Sequence, residues 1–197
     1  MTQFEKLDSL LNEYKGTIQT FQVINNEISK TVFYNYVKER GLEQVAHGVY
    51  VSPSTWTDAM YILHLRCGQA VFSHETALFF HDLTDRESLK YALTVKTGYN
   101  PSHLQEDGFR VYTIKKELHE VGITTMQTPF GHTVPVYDME RTICDLLRSR
   151  KNIEIQVFRD ALKQYARRKD KNLRMLMKYA SMFHVEKRLR TYLEVLL

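Results

Sequence analysis

Three groupings in this 197-residue chain have residue types and spacings that could carry chemistry. The first is Ser73-His74-Glu75, which sets a nucleophile, a base and an acid side by side. Neighbours on a helix project about 100° apart, so a helical Ser73 and His74 cannot form the nucleophile–base hydrogen bond of a triad. Ser73 reads instead as a helix N-cap, and His74 as a capping-region polar group or a buried, hydrogen-bonded histidine. The second grouping is Asp138, Glu140 and Asp145, an imitation of a metal-binding or nuclease carboxylate cluster. One helix face would have to hold all three, and Asp138 is better placed as the cap of that helix. The third is His74, His81 and Asp82, whose seven-residue step is common in plain amphipathic helices. No Walker loop, GxGxxG, HExxH, GxSxG or EF-hand loop occurs, and the eight histidines lack metal-ligand spacing. The reading assigns no catalytic residue, no metal and no cofactor, and the chain is expected not to be an enzyme.

Binding chemistry is better represented. The net charge of +4 is unevenly spread. Residues 1–52 carry five Lys/Arg against six Asp/Glu, residues 53–147 eight against twelve, and residues 148–197 fourteen against five. Within the basic last quarter Arg159, Lys163 and Arg167 recur every four residues, Arg168, Lys169 and Lys171 follow, and Arg174 and Lys178 continue the series. Such a ridge neutralises phosphates by counterion release, although a merely solvated helix face has the same pattern. Near the N-terminus, Lys30, Thr31, Tyr34, Asn35 and Lys38 bring hydrogen-bonding groups to one side of a helix, suited to base edges and phosphates.

These groups need elements to hold them. Phe4, Leu7, Leu10, Leu11 and Tyr14 predict a first helix, ended by Lys15-Gly16. Thr17-Ile18-Gln19 is β-prone, and Thr20 is suited to cap a short helix from Phe21 to Asn26. Ser29 caps a third helix that Gly41 terminates, with Phe33, Tyr36 and Val37 inward. Strands over 42–46 and 49–51 meet at His47-Gly48, a tip able to reach a groove or phosphate. Helix, short helix, helix and hairpin is the order of a winged helix-turn-helix, although this segment is not net basic. Helices are expected from Trp56 to Cys67 and from Ser73 to Phe80. Residues 91–95, 109–113, 123–126 and 133–137 read as strands of a small antiparallel sheet. A helix capped by Asp138 follows, with Arg141 and Asp145 spaced to pair. Three last helices run over 154–168, 172–182 and from Val185, with Leu173, Tyr192 and Leu196 among their apolar stripes. The expected fold class is α+β: a winged helix-turn-helix with following helices over 1–85, then a mixed domain over 86–197 with a small sheet and basic helices.

With 43% hydrophobic and 25% charged residues, the composition is that of an ordinary globular protein. No run of about 18 apolar residues marks a membrane span, and Thr2 to Asp8 is too acidic for a signal peptide. Cys67 and Cys144 stand in unrelated contexts and suit a reducing compartment. A soluble cytoplasmic protein is expected.

Several stretches together resemble one family. They are Arg40-Gly41-Leu42, His47-Gly48-Val49-Tyr50-Val51, Ser73-His74-Glu75-Thr76-Ala77-Leu78 with His81-Asp82-Leu83, Thr128-Pro129-Phe130-Gly131, and Tyr137 through Leu146. Over nearly its whole length the chain is similar to the AbiEi antitoxins of bacterial abortive-infection toxin–antitoxin pairs, which defend against phage. The resemblance implies a transcriptional autorepressor whose winged helix binds operator inverted repeats, with possible self-association on that double-stranded DNA. It also implies antagonism of a cognate nucleotidyltransferase-type toxin, of type IV, without a stable complex. Relatives commonly carry Arg before the wing glycine, where this chain has His47. The DNA contacts expected are Lys30, Thr31, Tyr34, Asn35, Lys38 and His47, with Arg159, Lys163, Arg167, Arg168, Arg174 and Lys178 as backbone clamps. The alternatives are a toxin-binding interaction protein without specific DNA binding, and a nuclease using Asp138, Glu140 and Asp145.

Overall fold

The computed structural model describes residues 2–86 and 88–196. It is an α+β structure whose contacts gather the chain into two units, Met1–Gly68 with Gln127–Val134, and Gln69–Met126 with Pro135–Leu197.

In the first unit, α1 (Gln3–Glu13) opens on a capping box in which Thr2 and Glu5 satisfy each other's backbone amides. Strand β1 (Thr17–Gln19) runs straight into α2 (Thr20–Asn25). Thr20 therefore starts this helix instead of capping it. The Gln19 amide donates to the Gln22 side chain, while the Thr20 hydroxyl donates to the Gly48 carbonyl. The next helix, α3 (Lys30–Arg40), begins where the Ser29 hydroxyl accepts from the Val32 amide, and it ends at Gly41 in the left-handed conformation. Strands β2 (Glu43–Ala46) and β3 (Val49–Val51) form the hairpin around His47-Gly48. All pairings are antiparallel, in the order β1-β3-β2, with an irregularity between Gln44 and Ala46. Leu7, Ile18, Val23, Phe33, Tyr36 and Tyr50 form the core beneath. The last helix, α4 (Ala59–Arg66), starts later than its apolar pattern suggests because Asp58 caps it, accepting from the Tyr61 amide; Trp56 lies before it, exposed.

The second unit carries β4 (Val71–Phe72), α5 (His74–Phe80), β5 (Ala92–Lys96), α6 (Ser102–Glu106), β6 (Arg110–Ile114), α7 (Lys116–His119), β7 (Ile123–Gln127), β8 (Thr133–Tyr137), α8 (Met139–Arg148), α9 (Ile155–Arg167), α10 (Leu173–Met182) and α11 (Glu186–Leu196). Its sheet is ordered β6-β5-β4-β8-β7. The sheet is mixed, not antiparallel as expected. The β5–β6 and β4–β8 pairs are parallel, and only β4–β5 among the registered pairs is antiparallel. A parallel pair needs a crossover, which α6 supplies between β5 and β6. The two-residue β4, too short to announce itself in sequence, takes the centre.

Helix α8 is the axis of this unit. Its Ile143, Cys144, Leu146 and Leu147 are wholly buried among side chains of α5, α9, α10 and α11, including Leu78, Phe158, Leu162, Leu176 and Leu189. Helix α5 shares this core and groups with the second unit. Leu173 and Tyr192, expected in the apolar stripes, are exposed, and the Leu196 side chain lies outside the described residues.

Candidate nucleic-acid interface

Two surfaces merit attention, one in each unit. In the first, α3 is fixed from behind. The Tyr36 hydroxyl donates to Asp8 Oδ1 and Arg40 Nη2 to Asp8 Oδ2, both at 2.7 Å, so one carboxylate of α1 holds two residues of α3. Burial, together with that carboxylate, pushes the Tyr36 phenol up. Phe33 packs edge-on against Tyr50 of β3 and Tyr36 against Phe4. Sequence reading missed Asp8 as the organiser of α3; an acid on a neighbouring helix has no local signature.

The opposite side of α3 is open. Lys30, Thr31, Tyr34, Asn35 and Lys38 are all exposed, and among the described residues none has a hydrogen-bond or ion-pair partner. At about 100° per residue they span roughly 140° of the helix surface. Lys and Thr at its start and Asn and Lys along it present donors and acceptors with nothing to satisfy them except solvent or a ligand. His47 is exposed at the hairpin tip, which the Thr20 amide pins through Gly48 at 2.8 Å.

In the second unit, Arg159, Lys163 and Arg167 lie exposed on α9, and Arg174 and Lys178 on α10. None of the five forms an ion pair among the described residues. Arg168 differs: its Nε and Nη2 each meet a carboxylate oxygen of Asp170 at 2.8 Å. That occupied fork makes it a poorer phosphate donor than its neighbours. The turn carrying these cations is anchored from α8. Glu140 Oε1, 7% exposed as a residue, accepts from the Tyr165 hydroxyl at 2.9 Å and the Asn172 amide at 2.8 Å. Glu140 is thus a positioning residue for the α9–α10 turn.

The other two carboxylates of the suspected cluster also have structural partners. Asp138 caps α8 through the Arg141 amide and accepts from the Tyr179 hydroxyl. Asp145 pairs with Arg141 at 2.9 Å, as the spacing predicted, and with Arg148 at 3.2 Å. Burial pushes Asp145 up while the two guanidiniums pull it back. Among the described residues no group of three or more His, Cys, Asp or Glu could hold a metal ion, and no helix is long and apolar enough to cross a membrane.

Ser73 and His74 depart from the helical geometry expected of them. Ser73 and His74 do meet: His74 Nδ1 lies 3.0 Å from Ser73 Oγ. The helical separation fails because Ser73 is extended, before α5, and His74 enters with a left-handed φ of 50°. Nor does the Ser73 hydroxyl cap α5; it accepts from Thr94 Oγ1 at 2.8 Å. Both residues are completely buried. His74 Nε2 lies 2.9 Å from Ser149 Oγ, and its ring stacks on Tyr112 with centroids 3.5 Å apart. Burial first, then Arg148, Arg141 and Arg110, hold the His74 imidazole well below its ordinary pKa. Glu75, the acid of the sequence run, pairs with Arg110 instead. The pair is sealed from solvent, and among the described residues the His74 ring nitrogens meet only the hydroxyls of Ser73 and Ser149.

No protein-family model matches the chain, and no curated protein does. Among solved structures it is similar to the RV2827C protein from Mycobacterium tuberculosis, with a TM-score of 0.58 over 92% of this chain and 72% of that one. At 11% identity that likeness speaks for the fold alone.

Proposed function

We propose that this chain is an antitoxin and autorepressor of a bacterial abortive-infection operon, acting on DNA through a winged helix in its first unit. One observation carries the reading: α3 buries Phe33 and Tyr36 while Lys30, Thr31, Asn35, Lys38 and the hydroxyl of Tyr34 are without hydrogen-bond or ion-pair partners among the described residues, all five side chains being exposed directly before a β2–β3 hairpin. A recognition helix needs that division between a side that packs and a side that reads a major groove. His47 is then the wing contact. The exposed cations of α9 and α10 supply phosphate neutralisation, with no part in sequence choice. The likeness of the sequence to AbiEi antitoxins adds the regulatory setting: inverted-repeat operators, and antagonism of a nucleotidyltransferase-type toxin without a stable complex. The nuclease alternative draws no support from Asp138, Glu140 and Asp145, each of which has a structural hydrogen-bond or ion-pair partner.

The test is a gel shift of DNA upstream of the chain's own gene against scrambled DNA of equal length, titrated in salt. Retention of the native fragment at salt that releases the scrambled one is the expected result. Equal, salt-labile binding to both would leave a cationic surface and remove the regulator.

A further inference from the structure

The cations of α9 border a hollow. Lys163 and Arg167, one turn apart, line a cavity of about 390 Å³, and the segment after α5 brings Arg86 to the same cavity. The Arg86 amide donates to Thr84 Oγ1 at 3.2 Å, a local turn that holds the backbone there. Thr84 and Gln164 add a hydroxyl and an amide to the lining, and the fully buried Leu83 closes it with Val157. Two carboxylates also line it, Asp85 and Asp160. Yet none of the three cations is ion-paired among the described residues, and Asp160 instead accepts from Gln156 Nε2 at 3.0 and 2.9 Å. A second cavity of about 600 Å³ shares Thr84, Arg86 and Val157 and adds Lys90, so Arg86 borders both.

Cations on a convex helix face attract any polyanion diffusely. Cations from two separate segments around one hollow instead fix a single compact anion, and guanidinium forks suit phosphate oxygens. We propose that Arg86, Lys163 and Arg167 form a seat for one phosphate group, which in the DNA-binding reading, on which this inference rests, is a backbone phosphate. Arg86 thereby joins the nucleic-acid contacts, although it stands far from the basic quarter of the chain. Asp85 limits the seat, so Asp85→Asn tightens phosphate binding.

The experiment uses the full chain and two probes, a scrambled-sequence DNA duplex and inorganic phosphate. It compares wild type with Arg86→Gln and with Lys163→Gln, an exposed helix position whose replacement leaves the fold in place. Each variant is expected to bind the duplex about three- to tenfold more weakly at low salt, with the slope of log K against log salt shallower by about 0.9. If wild type binds the duplex and both variants match it in affinity and slope, the seat is wrong while DNA binding stands. If wild type ignores the duplex but binds inorganic phosphate in a manner lost in both variants, the seat stands for a free phosphate compound and the DNA reading fails. Binding of neither probe overturns both.

Discussion

Helices α8 and α9 follow one another in the chain, have similar lengths and are both amphipathic, yet they treat charge in opposite ways. On α8, Glu140, Arg141 and Asp145 lie inside the second unit, and each is held by named partners. On α9, Arg159, Lys163 and Arg167 lie outside it and are paired with nothing among the described residues. Buried charge is tolerable only when it is neutralised and hydrogen-bonded, so the polar residues of α8 encode architecture. Exposed, unpaired charge contributes little to stability and is free for a ligand. Each helix carries four charged residues, so their number does not tell the two apart; burial does.

The strongest blow to this contrast falls on Arg141. Its Nε donates to Asp145 and its Nη1 to the carbonyls of Leu118 and Val121, and its guanidinium lies 4.1 Å from the ring centroids of both Tyr137 and Phe183. Replacing Arg141 by Met removes a cation from a buried carboxylate and two acceptors at once. A loss of about 3–5 kcal/mol is expected in chemical denaturation. Arg141→Lys restores only part of it, because a point charge cannot reach all three acceptors. A loss under about 1 kcal/mol would mean that α8 carries its charges as lightly as α9 does.

Next in size is Asn35, which belongs on the α9 side of the comparison although it lies on α3. Asn35→Ala is expected to cost about 1–3 kcal/mol of discrimination between operator and scrambled DNA. Folding should change by less than about 0.5 kcal/mol, because the side chain is exposed and unbonded. A comparable loss of affinity on both DNAs would demote Asn35 to a backbone contact.

Local signals in the sequence sufficed for part of this structure and failed for the rest, for definable reasons. Ser29, Gly41 and the His47-Gly48 turn are local codes, so α3 and its hairpin were legible. The Arg141–Asp145 pair was legible because both partners sit on one helix. The parallel strand pairs were not, since their register depends on a two-residue β4 whose partners are distant in sequence. Asp8 and Glu140 escaped for the same reason, each organising residues 25 or more positions away. The Ser73–His74 hydrogen bond was excluded because the left-handed φ of His74 has no signature in a non-glycine residue, whereas a buried, hydrogen-bonded His74 was among the readings.

Acid should probe the buried side as a whole. The native state holds His74 neutral, whereas the unfolded chain takes up its proton below about pH 6.5. Stability from this group is therefore complete above that value and is lost as pH falls below it, by about 1.4 kcal/mol per pH unit for one proton. His64 and His119, also lowered by burial, act in the same direction. Burial raises Asp138 and Asp145, which act in the opposite direction as pH falls through their raised folded values. Denaturation midpoints at pH 7.5 and 5.5 should fall with acid in wild type and fall less in His74→Asn. An equal fall in both would mean that His74 is not held as a neutral, sealed base.

The smallest stability effect is expected where the charge is densest. Arg159→Gln and Lys178→Gln each remove an exposed cation with no partner among the described residues, so folding should shift by no more than about 0.5 kcal/mol. The same changes should weaken binding to scrambled and operator DNA alike and flatten the salt dependence by about 0.9 per side chain. This near-silence in folding is what separates α9 from α8. If Arg159→Gln cost more than about 1 kcal/mol of stability, its guanidinium would be part of the architecture and the α9 face would lose its claim to a ligand. If stability held while DNA affinity also held, the charge would be solvated decoration, and only the α3 face and the hollow at Arg86 would remain to carry nucleic-acid binding.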